Sequence, residues 1–407
     1  MTPAAGPMAT SSQAISRRWV IITGEYPPQP GGVADYSRLI ARGLVAAGDS
    51  VTVFAPPAPG ADPSDKDVEV RRLPDRFGLR SLRAIDAYLD THGGSPQLLV
   101  QYVPHAFGRR AMNVSFCLWL WRRRARRPFV VFHEVAFPIQ SGARLRHQAL
   151  GLVTHAMAAI VERASAHSFI PTAAWKTVLR RVAGRKADAC AWMPVPSNID
   201  CDVSNDERHA ARSRLGAPPL RLIGHFGTFG QYHNRLMRRL VPELLAGDSD
   251  RVMLLVGRGS DAFRDRLVAS DPNLAPRVIA RGAVSATDAA RVLSACDLLV
   301  QPYEDGISGR RASALAGLAL GRPVVSTVGR LSEAMWQTSD AVSLVPAEDV
   351  EATSRALASR VDALLNAPET AAALADRGAT LYRARFDVSH TIRALRAAAA
   401  QRAGSAP

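Results

Sequence analysis

Cysteine is scarce: the 407-residue chain has four, Cys117, Cys190, Cys201 and Cys296, and none is in a C-x-x-C spacing. This argues against a thiolate zinc framework and a disulfide scaffold, and a reducing compartment is the simpler expectation. Aromatic residues make up only 6% of the chain and lysine is rare, so the 51 basic residues are almost all arginine, spread along the sequence. No run approaches the roughly 18 consecutive apolar residues that a membrane-spanning helix needs. Residues 1–16 carry no charge before Arg17 and lack the basic start and apolar block of a secretory signal, so residues 1–17 read as a loose tail. The dinucleotide fingerprint G-x-G-x-x-G does not follow the first strand, and no Walker sequence occurs, which argues against nicotinamide chemistry and nucleoside triphosphate hydrolysis.

What is present is an ordinary globular composition, 47% hydrophobic and 21% charged, in a length that suggests two domains. Basic residues exceed the 36 acidic ones by 15. The sharpest cluster is Arg122, Arg123, Arg124, Arg126 and Arg127, but no aromatic side chains interleave with it as a base-stacking surface requires, so nucleic acid is not expected as a partner. The cluster follows Phe116, Leu118, Trp119, Leu120 and Trp121. That order fits either a core helix with a solvated charged end, the expected case, or an edge resting peripherally on an anionic membrane. The expected location is cytoplasmic, with the inner membrane face as the place of any such contact.

The run Trp19 to Thr23 reads as a strand ending at Gly24, followed by a Gly/Pro loop, a helical pattern from Val33 to Ala47 and a second strand from Ser50 to Ala55. Further strands are predicted at Gln97–Val103 and Phe129–His133. After the proline-punctuated stretch near Pro194 to Asn198 the alternation restarts, with strands at Arg221–Gly224, Val252–Val256, Arg277–Ala280, Leu298–Gln301 and Pro323–Thr327. Strands alternating with helices predict parallel sheets covered on both faces. The expected fold class is α/β, with two Rossmann-like doubly wound domains facing a cleft. The predicted boundaries are residues 18–200 for the first domain, 201–385 for the second, and 386–407 for a terminal helix. Two independent domains with no shared site are the alternative. Glycine-rich βα loops place backbone N–H groups where phosphates bind well.

Several short motifs stand in a fixed order: Gly24-Glu25-Tyr26-Pro27-Pro28 with Gly31-Gly32-Val33-Ala34-Asp35-Tyr36, Gln101 to Gly108, Phe132-His133-Glu134, Leu255-Val256-Gly257-Arg258-Gly259, Ala295-Cys296-Asp297-Leu298, Ala319 to Val325, and Phe386-Asp387. Over nearly the whole chain this series resembles the GT-B glycosyltransferases of family 4. The resemblance implies transfer of a hexosyl group from a nucleoside-diphosphate sugar to a glycan, lipid-linked or small-molecule acceptor, with retained configuration; it also implies that residues 18–200 form the acceptor domain, 201–385 the nucleotide-sugar domain, and that the helix 386–407 crosses back to the first. It implies no metal and no cofactor beyond the donor. One departure stands out: the positions where that family commonly carries two glutamates are Ser308 and Ala316 here. The loop reads Asp305-Gly306-Ile307-Ser308-Gly309-Arg310-Arg311 instead.

The residues expected to carry the chemistry follow from the resemblance. His133, Arg311 and Ser308 are the catalytic candidates. Gly227, Thr228, Gly230, Gly257, Arg258, Asp305, Gly306, Ile307, Ser308 and Arg311 are expected to bind the donor. Glu25, Gly31, Gly32, Val33, Asp35, His105 and Glu134 are expected on the acceptor or diphosphate loop. Arg310 and Arg311 at the positive end of a helix dipole call for an anion, and a guanidinium fork suits phosphate oxygens. A plain tight turn at Gly227–Gly230, a satisfied strand-end His133 and a helix-start role for Asp35 remain open beside these readings. Glu333 is expected at the surface. A non-catalytic module that binds a nucleotide sugar or a partner glycosyltransferase is the alternative to an enzyme, motivated by the absent glutamates. A sugar-nucleotide epimerase is a weaker option.

Overall fold

A computed structural model describes residues 16–92, 96–139, 142, 144–199, 202–215, 220–230, 235–246 and 248–403. The predicted N-terminal tail up to residue 15, and Cys201, lie outside the described residues. Seven strands make the first sheet: β1 Arg18–Thr23, β2 Ser50–Ala55, β3 Val68–Arg72, β4 Gln97–Tyr102, β5 Phe129–Phe132, β6 His167–Ile170 and β7 Ala191–Trp192. Six make the second: β8 Arg221–Phe226, β9 Arg251–Val256, β10 Val278–Ala280, β11 Leu298–Gln301, β12 Val324–Val328 and β13 Ser343–Pro346.

Every recorded pairing is parallel, and the two sheets run β3-β2-β1-β4-β5-β6-β7 and β10-β9-β8-β11-β12-β13. Their interior strands are near-continuous apolar runs, because helices cover both faces and leave no face for polar residues. Trp19, Val20, Ile21 and Ile22 are all fully buried, with Trp19 in register with Val51 on one side and Gln97 on the other. Burying a large aliphatic side chain in this way contributes about 1.5–3 kcal/mol. The helix Gly32–Ala46 buries Ala34, Ser37, Ile40, Ala41 and Leu44 at helical spacing against the first sheet.

In both sheets the order reverses beside the first strand, between β1 and β4 and between β8 and β11. Connections leave these strands toward opposite faces, which opens a crevice at their carboxyl ends, where doubly wound folds bind ligands. The crevices face each other. Val195 donates its N–H to the Gly309 carbonyl (2.8 Å), and the Thr172 hydroxyl donates to the Leu331 carbonyl (3.3 Å).

The chain crosses between the domains twice. Phe386 is buried between Trp192 and Trp336, stacked on the latter at 5.3 Å. The helix Val388–Ala403 then packs on the helix Gly32–Ala46, where Ile392 lies against Gly43. Arg396 of this last helix donates to the Ala47 carbonyl and pairs with Asp49, which also accepts from the Trp19 indole at 2.9 Å.

Candidate functional site

The N-terminal wall of the cleft is built on a close backbone approach. Gly24 lies against Ala106, whose Cβ occupies the space a side chain at position 24 would need. This contact joins the loop leaving β1 to the loop leaving β4, and brings Glu25 beside His105. The His105 ring stands between two carboxylates, with Nε2 3.8 Å from Glu25 and Nδ1 3.5 Å from Glu134. The Glu134 hydrogen bond raises the imidazole pKa above its ordinary value. Burial pushes Glu25 up, against the pull of His105. Burial also works against ionisation of Glu134, but the His105 hydrogen bond and charge hold that carboxyl below its usual range.

Gly31 is pressed against the Glu25 carboxylate, and Gly32 and Val33 open the helix that carries Asp35 in its first turn. Asp35 accepts from Asn198 of the interdomain connection at 3.1 Å, while burial raises its pKa. His133 follows directly on β5 and is only 9% exposed. Its Nε2 lies 2.8 Å from Gln101 Oε1. The edge of the Tyr36 ring closes the other side at 4.8 Å. Burial lowers the His133 pKa to about 4, so the ring is neutral at pH 7.

The C-terminal wall begins with two loops stacked through glycine. Gly257 has φ 124°, and the Gly227 carbonyl fills the space its side chain would take. Phe229 donates its N–H to the Arg258 carbonyl at 2.9 Å, fixing the Gly227–Gly230 loop to the Gly257–Gly259 loop. Thr228 and Arg258 are exposed, and Gly227, Gly230 and Gly257 are half-exposed. The Arg258 charge acts across the cleft on both Glu25 and Asp35, lowering their pKa values against burial.

The segment Asp305–Arg311 does reach the opposite domain. A side chain on Gly309 would meet the Pro171 carbonyl at 2.5 Å and Trp192 at 3.2 Å, and the Arg310 guanidinium lies 5.4 Å from the Trp175 ring centroid. Its electrostatics correct the expectation of a vacant anion cradle. Asp305 itself is the anion: it binds Arg310 at 3.0 Å and also Arg311, whose guanidinium lies over the Tyr303 ring. Burial and the charge of Arg311 lower the Arg310 pKa, and Asp305 opposes them.

The backbone donors of this loop are also engaged, contrary to expectation. Gly306 donates to the Tyr303 carbonyl (3.0 Å) and Ile307 to the Thr327 carbonyl (2.8 Å). Gly309 donates to Glu333 (3.1 Å to Oε2). Ile307 is a core residue with no exposed surface, packed with Leu315, Leu318 and Trp336, so it presents nothing to a donor. Ser308 is likewise fully buried, and its hydroxyl has no hydrogen-bond partner among the described residues. In this arrangement Ser308 therefore does not line the open cleft. Glu333, expected at the surface, is instead pinned by the Gly309 amide and the Trp336 indole (2.8 Å).

Three contributors were not legible beforehand. Asn198 and Gln101 act only through partners distant in sequence. Trp175, which donates to the His133 carbonyl at 3.1 Å and faces Arg310, lies just beyond β6, a strand the hydrophobic pattern did not reveal.

Comparison with known proteins follows this geometry. Residues 221–378 match the family model described as "Glycosyl transferases group 1". A search of curated proteins gave no match. Among solved structures, sucrose-phosphate synthase from Thermosynechococcus elongatus superposes with a TM-score of 0.70 at 18% identity, covering 96% of this chain and 100% of that one. Anabaena HepE in complex with UDP and glucose gives 0.66 at 16% identity over 95% and 100%. WaaG, a glycosyltransferase involved in lipopolysaccharide biosynthesis, gives 0.66 at 14% identity over 93% and 98%. Two Rossmann-like domains, each a parallel sheet between helices and each turning its carboxyl edge toward the other, give this chain the GT-B architecture.

Proposed function

We propose that the chain transfers a glycosyl group from a nucleoside-diphosphate sugar, held by the C-terminal domain, to an acceptor held by the N-terminal domain. The observation that carries this reading is where the family match falls. It covers the domain whose two glycine-stacked loops leave Thr228 and Arg258 open at the cleft. HepE, of like fold, was solved with UDP-glucose, which supports a nucleotide sugar as donor.

In the reaction the acceptor hydroxyl oxygen bonds to the anomeric carbon, the bond from that carbon to the diphosphate breaks, and the diphosphate departs with the electron pair. Its growing negative charge is the feature a preorganised site stabilises most. Arg258, the Gly227–Gly230 loop, and Arg311 once released from Asp305 supply that stabilisation. The leaving phosphate takes the acceptor proton, so configuration is retained and no metal is required. His105, poised between Glu25 and Glu134, orients acceptor hydroxyls on the other wall. Closure of the two domains excludes water and limits hydrolysis. The acceptor is a glycan, lipid-linked or small-molecule alcohol.

A second reading has a specific observation behind it. Asp305 and Glu333 already engage one arm of each guanidinium and the amide expected to grip a diphosphate. A non-catalytic GT-B module would leave them so. Incubation of the purified protein with a panel of nucleotide sugars, read as nucleoside diphosphate release and as binding, separates the two. Slow release that depends on Arg258 supports the transferase. Binding with no release under any acceptor condition supports the module.

A further inference from the structure

The N-terminal domain carries an exposed apolar and arginine-rich rim, and we infer that this rim docks the protein on an anionic lipid bilayer. The inference is independent of the donor chemistry. Between residues 91 and 161 the chain has nine arginines, no lysine and one acidic residue, Glu134. That one carboxylate faces His105 in the cleft, so it does not offset the rim.

The Arg122–Arg127 cluster is not itself the docking face. Trp119 is only 6% exposed and donates to Asp86 at 3.1 Å, while Arg123 pairs with Asp86 and Arg126 with Asp90 at 3.0 Å. Arg122, Arg124 and Arg127 are exposed without a carboxylate partner among the described residues, but they lead into β5 and so lie at the opposite, amino edge of the sheet. A further unpaired face lies on the neighbouring helix Leu145–Ala164. Its Leu145 is 83% exposed and Leu152 61% exposed, and both stand on one side, seven residues apart. Ile139, 50% exposed, packs on Gly151 of this helix, on the loop that leaves the carboxyl end of β5. Leu145 is six residues before Gly151, so it lies roughly 9 Å along the helix axis from the Ile139 contact.

Arg144, Arg146, Arg109 and Arg110 are exposed at the same carboxyl edge of the sheet. None of them has a carboxylate partner among the described residues. Large aliphatic side chains standing 50–83% in water between unpaired guanidiniums fit an interfacial surface. The arginines would meet lipid phosphates and the leucines the acyl boundary. A second copy of the chain fits less well, because its equivalent face carries the same positive charges.

The test is flotation of the full chain with neutral phosphatidylcholine vesicles and with vesicles containing about 30% phosphatidylglycerol, at low and high salt. The expected result is binding to the anionic vesicles alone, weakened by salt as exposed charges are screened. Arg144→Gln with Arg146→Gln should weaken partition by roughly fivefold for each arginine removed. Leu145→Ser with Leu152→Ser should weaken it by about tenfold or more, with an unchanged circular dichroism spectrum because both side chains are exposed. Absence of binding to anionic vesicles overturns the inference, as does binding that both double variants leave intact. A wild-type dimer in sedimentation velocity that the leucine variant converts to monomer also overturns it, since a second copy would then own the face.

Discussion

Asp305 and Arg311, six residues apart on one loop, form an ion pair at the mouth of the cleft, with Arg310 on the second carboxylate oxygen. Arg310 and Arg311 are 23% and 21% exposed and Asp305 16%, so a diphosphate that reaches these guanidiniums competes with the carboxylate for them. Asp305→Asn should therefore tighten nucleoside diphosphate binding. Arg311→Ala should weaken it by about 1.5–3 kcal/mol, the scale of hydrogen bonds to charged groups. Calorimetry on the two single variants and the double variant measures the coupling. Weaker binding by Asp305→Asn would mean that the carboxylate orients the guanidiniums instead of competing for them.

Arg258 is an exposed cation of the C-terminal wall, and its field reaches Glu25 and Asp35 on the other side. Its removal takes away both a phosphate partner and an attraction across the cleft. Arg258→Ala should cut kcat/KM by at least about a hundredfold, the usual cost of losing one donor to developing charge. Full activity with Arg258→Ala would move the diphosphate site elsewhere on the domain.

The buried neutral His133 gives a pH signature. Its pKa is lowered from 6.5 to about 4 by burial, so below pH 6.5 the unfolded chain takes up a proton that the folded one refuses. The stabilising contribution is whole above pH 6.5 and is lost as pH falls toward 4, at up to about 1.4 kcal/mol per pH unit. His133→Gln removes this titration. The stability difference between wild type and variant, from denaturant unfolding, should shift in favour of the variant as pH drops from 7 to 5. A difference that stays constant over that range would show that the ring is already accessible to protons.

Gly309 tests the contact between the domains. An added Cβ would come within 2.5 Å of the Pro171 carbonyl and 3.3 Å of Pro194, both in the other domain. Gly309→Ala should cost about 1–3 kcal/mol, the range for overpacking. Part of that strain should appear as a larger radius of gyration in small-angle scattering. An unchanged melting temperature together with unchanged scattering would mean that the contact is not formed in solution.

The long strands were readable because burial on both faces leaves an uninterrupted apolar run, as in Trp19–Thr23 and Val252–Val256. The missed strands, β3, β6, β7 and β13, are short, and β3 alternates exposed Glu69 and Arg71 with half-buried neighbours. The glycine-bearing loops were legible for a related reason: Gly257 needs a backbone conformation that side chains resist. The partners within the Asp305–Arg311 loop were not. One carboxylate serving two guanidiniums depends on the loop closing back on itself at Gly306, with φ 86°, a bend no spacing rule foretells. Burial of Ile307 and Ser308 likewise depends on the opposite domain and on Glu333 arriving from a later loop.

The last helix, seated on the helix that follows β1, means that two covalent spans tie the lobes together, one near Pro194 and one at Phe386. A body hung at two neighbouring points swings about the line through them and resists twisting across it. Opening and shutting the cleft then amounts to a single pivot, with Phe386, edge-on to Trp192 and stacked on Trp336, at its axis.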